Sequence, residues 1–218
     1  MTTIYFVRHV QAMGNIQRIF QGAIDTDISP QGQIQCEDLS RYFKDIKLDC
    51  VYTSPLKRAV ITAKAVALGA PIEKVEGIRE IQAGVWESRS IDSLEVDYPA
   101  EFDAWQNHPW DFVVEGSESM AQVFERTGAA LNEIVQKSKG QTIAVVSHGC
   151  ALRSLIAHAQ NFVITDLGKV GWVRNGGITK IVLENDVLPG VPEFEGKTDH
   201  LDQSTMLKGG TFYSRGDK

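Results

Sequence analysis

The chain has 218 residues, of which 43% are hydrophobic, and its formal net charge at pH 7 is −6. This length suits a single domain over residues 1–218 with enough apolar material for a core. No run of Lys or Arg indicates a surface for nucleic acid or for a membrane, so we expect neither partner. Because the overall charge is negative, an anionic ligand would have to be attracted by a local cluster of cations.

The cysteines and the N-terminus indicate the cellular compartment. Cys36, Cys50 and Cys150 are an odd number without a CxxC pair, which argues against a disulfide framework and a zinc ribbon. The chain begins with an apolar run that lacks the basic and long apolar regions of a signal peptide. No stretch of 18 apolar residues is present, so we expect no membrane span. We predict a cytoplasmic protein with no metal and no cofactor.

The first third of the chain alternates short apolar runs with helical patterns. Short apolar runs bounded by turn residues are typical of buried strands. The predicted strands cover residues 4–7, 50–52 and 72–75. One predicted helix begins at Ser29-Pro30, with Ser as its N-cap and Pro as its first residue. A second helix, rich in alanine, is predicted over residues 56–68.

From about residue 84 to residue 118 the pattern changes, and aromatic residues become frequent. They are Trp86, Tyr98, Phe102, Trp105, Trp110 and Phe112. We interpret this segment as a small helical cap inserted over the sheet. A helix over 119–137, strands over 142–146 and 178–183, and a helix over 151–159 are predicted next. The tail, residues 185–218, is rich in Gly, Pro and Asp and is predicted to be coil.

Alternation of strands and helices predicts an α/β fold, a three-layer α/β/α sandwich around a mostly parallel central sheet. Ligands of such sheets bind beyond the carboxyl ends of the strands. Arg8-His9 and Ser147-His148 each follow a predicted strand. Two histidines that are distant in sequence are therefore expected at the same edge of the sheet.

The residues expected at this edge are those that phosphoryl transfer requires. The guanidinium groups of Arg8 and Arg58 suit phosphate oxygens, and a neutral imidazole, of His9 or of His148, can attack phosphorus. A carboxyl group is needed to protonate the leaving oxygen, and Glu80 follows the third predicted strand. Each residue alone is more often structural, so the hypothesis depends on their occurring together.

The ordered set of motifs resembles the histidine phosphatases, also called the phosphoglycerate mutase-like superfamily, over roughly residues 1–160. The motifs are Val7-Arg8-His9, Asn15, Phe20-Gln21-Gly22, Ser29-Pro30-Gln31-Gly32, Thr53-Ser54-Pro55-Leu56-Lys57-Arg58, Arg79-Glu80, Gly116-Ser117-Glu118 with Arg126, and Val146-Ser147-His148-Gly149.

The resemblance implies a role for each matched residue. His9 would be the nucleophile, and Arg8, Arg58 and His148 would hold the phosphate. Glu80 would be the proton donor, and later the base for the attacking water. Further phosphate ligands are implied in the segment that follows His9, namely Asn15, Gln21 and Gly22.

The sequence departs from the family pattern directly after the nucleophile. Val10 stands where the family usually has Gly, and a β-branched residue tolerates an unusual backbone conformation poorly. Ala12 removes a hydroxyl that would be able to contact phosphate. Neither change touches the reacting groups, and the sequence leaves open whether they alter the shape of the pocket.

Three functions are compatible with the sequence. We favour hydrolysis of a small phosphomonoester through a phosphohistidine. Around Glu80 the chain reads Arg79-Glu80-Ile81-Gln82-Ala83-Gly84, which lacks the mutase pattern, so phosphoglycerate mutase activity is the second reading. The third is non-catalytic binding of a phosphorylated ligand or a partner protein. The expected partner is a small phosphorylated metabolite of unidentified structure, and a homodimer is an open option.

Overall fold

The computed structural model describes residues 1–207, so the last part of the predicted tail, residues 208–218, lies outside the described residues. Six strands form one sheet. They are β1 Thr2–Arg8, β2 Cys50–Thr53, β3 Ile72–Lys74, β4 Thr142–Ser147, β5 Ile178–Leu183 and β6 Val191–Lys197. The predicted strands are therefore all found, and apart from β1, which begins two residues earlier than predicted, their ends agree with the apolar runs to within one residue.

The strand order is β3-β2-β4-β1-β5-β6. The first four strands in this order are parallel, whereas β5 and β6 are antiparallel to their neighbours. The prediction of a mostly parallel sheet is confirmed. The two strands at its centre, β4 and β1, carry the two histidine motifs at their carboxyl ends.

The helices lie on both faces of the sheet. They are α1 Met13–Ile16, α2 Pro30–Phe43, α3 Lys57–Ala67, α4 Ile91–Asp97, α5 Pro99–Asn107, α6 Met120–Lys137 and α7 Gly149–Ala159. Side chains of β1 alternate between two cores, with Ile4 and Phe6 in one and Tyr5 and Val7 in the other. Helices α6 and α7 bury their apolar faces in the first core, and α2 and α3 in the second. The three-layer sandwich is confirmed.

The aromatic segment of residues 84–118 contains α4, α5 and two short 3₁₀ turns. Trp86 and Trp105 are fully buried, and both pack edge-on against Phe112 at ring distances of 4.9 and 4.8 Å. Phe20, from the loop after α1, joins them, with its ring 5.1 Å from that of Trp105. These aromatic rings belong to the core that continues under the sheet. Through their contacts with Phe20, Trp86 and Trp105 pack the aromatic segment against the loop that follows His9.

The prediction of a coil after Asn185 is wrong for residues 191–197, which form the edge strand β6. The segment contains Pro192, Gly196 and three charged residues, and it lacks the apolar alternation that indicates a half-buried strand. Pairing with β5 decides its structure, with Ile181 opposite Pro192 and Val182 opposite Val191. An edge strand tolerates proline and exposed charges because one side of its backbone faces away from the ladder.

Within residues 1–207, no helix is both long enough and apolar enough to cross a membrane.

Candidate active site

The two predicted histidines meet at the carboxyl ends of β1 and β4. The strands are parallel with Arg8 opposite Ser147, and the His9 N–H donates to the Ser147 carbonyl at 2.9 Å. This register sets the two rings side by side, with centroids 5.1 Å apart and planes tilted by 53°. His9 is 2% exposed and His148 is fully buried. The edge of the sheet thus holds a buried histidine pair, as the sequence predicted.

The His9 ring is fixed by a hydrogen bond to its own neighbour. Its Nδ1 lies 2.7 Å from the Val10 carbonyl oxygen, which can only accept, so Nδ1 carries the proton. The lone pair of a neutral ring is then on Nε2. Burial, and next the positive charges of Arg58 and Arg8, hold the pKa of His9 well below its ordinary range. His9 is therefore a neutral imidazole whose Nε2 is the available nucleophilic atom.

His148 uses the opposite nitrogen for its contact. Its Nε2 lies 2.6 Å from the hydroxyl of Ser54, at the end of β2, and its buried Nδ1 has no hydrogen-bond partner among residues 1–207. Burial, and next the positive charge of Arg58, hold the pKa of His148 well below the usual range. The Ser54 hydroxyl also accepts a weak hydrogen bond from Leu56 N at 3.3 Å. Ser54, which has no role in the sequence analysis beyond its place in a family motif, orients this ring.

Arg8 and Arg58 supply the local cations that the acidic composition requires. Arg8 Nη1 donates to the Val173 carbonyl at 2.7 Å, and Arg58 donates to the carbonyls of Gly22 and Ile24 at 2.9 and 2.7 Å. Both guanidinium groups are buried and close enough to lower the pKa of both histidines. The structure thus brings both arginines to the histidine pair.

The loop after α1 borders the arginine side of the site. Gly22 has a φ of +51°, and a Cβ there would stand 2.6 Å from a Glu87 carboxylate oxygen, so a side chain is excluded. The Gln21 side chain lies across Gly14 and accepts a short hydrogen bond from the Thr26 hydroxyl. Arg58 connects this loop to the site through the Gly22 carbonyl.

Asn15 reaches the site through a residue that the sequence did not single out. Its Oδ1 accepts from the Ala12 N–H at 2.9 Å and lies 3.4 Å from the amide nitrogen of Asn175. Asn175 also donates to the carbonyl of His9 at 3.0 Å. Asn175 lies in a polar turn directly before the predicted strand over residues 178–183. This position beside a strand is the signal by which the sequence could have indicated it as a site residue.

The side chain of Glu80 reaches the N-terminus of α7, the helix that directly follows His148. Its Oε1 accepts from the N–H groups of Ile81 and Ala151, both at 3.0 Å, and its Oε2 accepts from Cys150 N–H at 3.1 Å. The side chain is only 7% exposed. Backbone donors at a helix N-terminus suit a carboxylate, so this group is held firmly within the site.

Arg126 holds the backbone around Glu80 in place. This residue, on α6, donates to the carbonyls of Gly77 and Arg79 at 3.0 and 2.8 Å, and to that of Glu80 at 3.2 Å. Its remaining donors form a fork with the Glu118 carboxylate at 2.8 and 3.0 Å. These contacts lower the pKa of Glu118 despite its burial. Arg126 is a positioning residue for Glu80.

Val10 adopts an ordinary backbone conformation after His9. Val10 keeps a negative φ, so no glycine-like conformation is required. Its side chain is fully buried in the core beneath the site, and its N–H donates to the Thr62 hydroxyl at 3.0 Å. Ala12 is likewise fully buried, at the start of α1. An apolar core contact explains both residue types.

A search of residues 1–207 finds no group of three or more His, Cys, Asp or Glu residues arranged to hold a metal ion.

Curated relatives of this chain carry phosphatase and mutase names. Phosphoserine phosphatase 1 of Hydrogenobacter thermophilus is 32% identical over 71% of this chain and 74% of its own length. A putative phosphoserine phosphatase 2 of the same organism is 31% identical over 85% and 92%. A protein of Salmonella choleraesuis named probable phosphoglycerate mutase GpmB is 30% identical over 94% and 98%.

Solved structures share the whole fold. Bacillus stearothermophilus YhfR superposes with a TM-score of 0.85 at 27% identity, covering 93% of this chain and 100% of that one. A phosphoserine phosphatase mutant from Entamoeba histolytica in complex with phosphoserine gives a TM-score of 0.78 at 26% identity, covering 92% and 100%. The family model for the histidine phosphatase superfamily (branch 1) matches residues 4–188. The paired histidines, the buried arginines and these matches agree, and the chain belongs to the histidine phosphatase superfamily.

Proposed function

We propose that this chain hydrolyses a small phosphomonoester in two steps through a phosphohistidine at His9. The observation that carries the proposal is the hydrogen bond from His9 Nδ1 to the Val10 carbonyl. It leaves the lone pair on Nε2, in a ring that burial and two arginines keep neutral. A neutral, oriented imidazole beside cations is the arrangement that nucleophilic attack on phosphate requires.

In the first step His9 Nε2 attacks phosphorus and the bond to the leaving oxygen breaks. Arg8 and Arg58 counter the charge of the phosphoryl oxygens, and the buried Nδ1–H of His148 donates to one of them. Glu80 carries the transferable proton of this step. It gives that proton to the leaving alkoxide.

In the second step the Glu80 carboxylate removes a proton from water. The resulting hydroxide attacks phosphorus, the bond to His9 breaks, and inorganic phosphate leaves with its charge countered by the arginines. Glu80 is protonated again and His9 is neutral again, so the cycle closes without a further reactant. Asn15, Gln21 and Gly22, in the loop that Arg58 contacts, are proposed as additional phosphate ligands.

Transfer to a second metabolite is the alternative, favoured by the relative named as a probable phosphoglycerate mutase. Rapid quench with ³²P-labelled substrate distinguishes the two reactions. We expect acid-labile label on His9 that decays within the turnover time. Label that persists for minutes and is then transferred to added phosphoglycerate would establish a mutase. If the protein binds the phosphorylated ligand but His9 never acquires label, the chain binds without catalysis.

The relatives named as phosphoserine phosphatases determine where the substrate search begins. Phosphoserine and 3-phosphoglycerate come first in a panel that also contains sugar, nucleotide and cofactor phosphates. Release of inorganic phosphate is the readout. The expected result is a kcat/KM for one small phosphomonoester well above that for p-nitrophenyl phosphate.

Three broader features stay proposals. Residues 84–118 are proposed to act as a cap of a single domain, supported by their aromatic contacts with Phe20. A cytoplasmic location is supported by the free thiols of Cys36, Cys50 and Cys150. A homodimer is the expected assembly if one forms, and light scattering of the purified protein measures it.

A further inference from the structure

Arg153, on α7, is a buried cation that the proposed reaction does not use. Its side chain is 9% exposed, its Nε donates to the Val170 carbonyl at 2.8 Å, and its guanidinium lies 4.6 Å above the ring of Trp172. Among residues 1–207, no carboxylate lies within ion-pair distance of it. Burial lowers the pKa of its guanidinium, which nevertheless stays charged at neutral pH.

A buried guanidinium without an anion is unfavourable in the folded state. Removing a charge from water is costly, and stacking on an aromatic ring offsets only part of that cost. Arginine also has five N–H donors, of which the Val170 carbonyl uses one. A buried cation with unused donors beside a binding site is expected to bind an anionic group of the ligand.

Arg153 lies beside the phosphate site. It is four residues after Gly149, so the two residues share one face of α7 at a rise of about 6 Å. A helical side chain leans toward the helix N-terminus, which directs the guanidinium toward Gly149 and the site. A Cβ on Gly149 would stand 3.5 Å from the Trp172 ring and 3.6 Å from the Arg8 guanidinium carbon.

One short segment also connects the two arginines. The Val170 carbonyl accepts from Arg153, and the Val173 carbonyl accepts from Arg8. Trp172, between them, is partly exposed and stacks on Arg153. The segment therefore holds the phosphate-binding guanidinium and the second guanidinium at a fixed separation.

We propose that Arg153, supported by Trp172, binds a carboxylate on the leaving-group side of the substrate. The proposal rests on the proposed function and deepens it, because it defines the substrate class as phosphomonoesters of short carboxylic acids. The planar fork of a single guanidinium matches the two oxygens of a carboxylate. The Trp172 ring lies against the Arg153 guanidinium on one side and close to Gly149 and Arg8 on the other, so the chain between the two anionic groups is short.

The test compares substrates that differ in the carboxylate alone. Phosphoserine is paired with phosphoethanolamine, 3-phosphoglycerate is paired with glycerol 3-phosphate, and p-nitrophenyl phosphate reports the basic reaction. The variants are Arg153→Met, which removes the charge, and Arg153→Lys, which keeps the charge but loses the fork. Lys169→Met is the matched control, because it removes an exposed cation from the neighbouring turn.

We expect Arg153→Met to reduce kcat/KM for the two carboxylated substrates by about 10- to 100-fold, the value of one charged hydrogen-bonded contact. The loss for their uncarboxylated partners should stay below about 3-fold, and Arg153→Lys should fall between. A second readout is binding of phosphoserine to the His9→Ala protein, which should weaken in the His9→Ala, Arg153→Met double variant.

The outcomes separate the two proposals. Absence of phosphate release from every substrate in the wild-type protein would overturn the proposed function. Hydrolysis with equal losses for both members of each pair in Arg153→Met would overturn the carboxylate site and leave the stack on Trp172 a structural contact. A preference for bisphosphorylated compounds, lost in Arg153→Met, would replace the carboxylate by a second phosphate. Thermal unfolding of each variant identifies a loss due to misfolding.

Discussion

His9 and His148 occupy equivalent places at the ends of adjacent parallel strands, yet each fixes the opposite ring nitrogen. His9 binds the Val10 carbonyl through Nδ1, whereas His148 contacts the Ser54 hydroxyl through Nε2. Both rings are buried and have a depressed pKa. The two residues share burial and a depressed pKa, so the different roles proposed for them rest on their different hydrogen-bond partners.

The largest effect should come from removing His9. We expect His9→Ala to lower kcat by at least about 10⁴-fold, because no covalent intermediate can form, whereas His148→Ala should cost about 10²–10³-fold through a lost phosphate contact. Steady-state kinetics on p-nitrophenyl phosphate, with thermal unfolding to verify folding, measure both. Equal losses in the two variants would contradict the division of roles between the rings.

Glu80 belongs to the His148 side of the comparison, since it binds the N–H groups of the two residues after Gly149. We expect Glu80→Gln to reduce the rate on alkyl phosphates by roughly 10²–10⁴-fold, because the transferable proton is lost. Single-turnover phosphorylation by p-nitrophenyl phosphate should fall less, since its leaving group needs little protonation.

The matched control for this change is Glu87→Gln. Glu87 also accepts two backbone N–H bonds, but their donors are Ala23 and Ala83 and not the residues at the start of α7. It should retain nearly normal activity. A larger loss of activity in Glu87→Gln than in Glu80→Gln would indicate that Glu87, and not Glu80, is the general acid.

Ser54→Ala tests whether the hydroxyl orients His148. Losing one neutral hydrogen bond should lower kcat/KM by about 3- to 10-fold. Ser147→Ala is the control, because its hydroxyl is equally buried and adjacent but binds the Ile78 carbonyl instead of the ring. A decrease in activity of the same size in both variants, at equal stability, would mean that the ring needs no such support.

The pH dependence of stability tests what the two histidines share. Their folded-state pKa values lie below the unfolded value of about 6.5, so the unfolded chain binds more protons at low pH. Their contribution to stability is complete above pH 6.5 and is lost as the pH falls toward the folded-state pKa values. Each ring contributes up to about 1.4 kcal/mol per pH unit in this window.

Urea unfolding between pH 8 and pH 5 measures this slope, and the His9→Gln, His148→Gln double variant should be less sensitive to pH. The pH dependence of kcat/KM should likewise show no loss near pH 6.5 from protonation of His9. Identical slopes in the wild-type protein and the double variant would place the depressed pKa values in doubt.

The smallest expected effect is that of chelation. Arg8 and Arg58 supply the positive charge around the histidine pair, so treatment with EDTA should change kcat by less than about twofold. Phosphate release before and after dialysis against EDTA measures it. Loss of activity that Mg²⁺ or Zn²⁺ restores would show that the arginines are insufficient.

Local sequence patterns were enough to indicate which strands end in the residues that carry the chemistry. Apolar runs that end abruptly in Arg8-His9 and Ser147-His148 are local signals, and parallel strands bring their carboxyl ends to one edge. The same local signals located the start of α2 at Ser29 and most strand boundaries. The pattern could not indicate β6, because backbone pairing with β5 stabilises that strand without any apolar alternation.

The tertiary structure alone decided how the site residues are oriented. Ser54 and His148 are 94 positions apart, and Glu80 meets Ala151 across 71, so no local pattern connects them. The ordinary backbone of Val10 and the burial of Arg153 also depend on packing between separate elements. Residue types and strand ends are properties of short segments. Contacts between distant segments decide which ring nitrogen of each histidine is bonded and which backbone donors bind the Glu80 carboxylate. They also decide how much the burial of a charge costs.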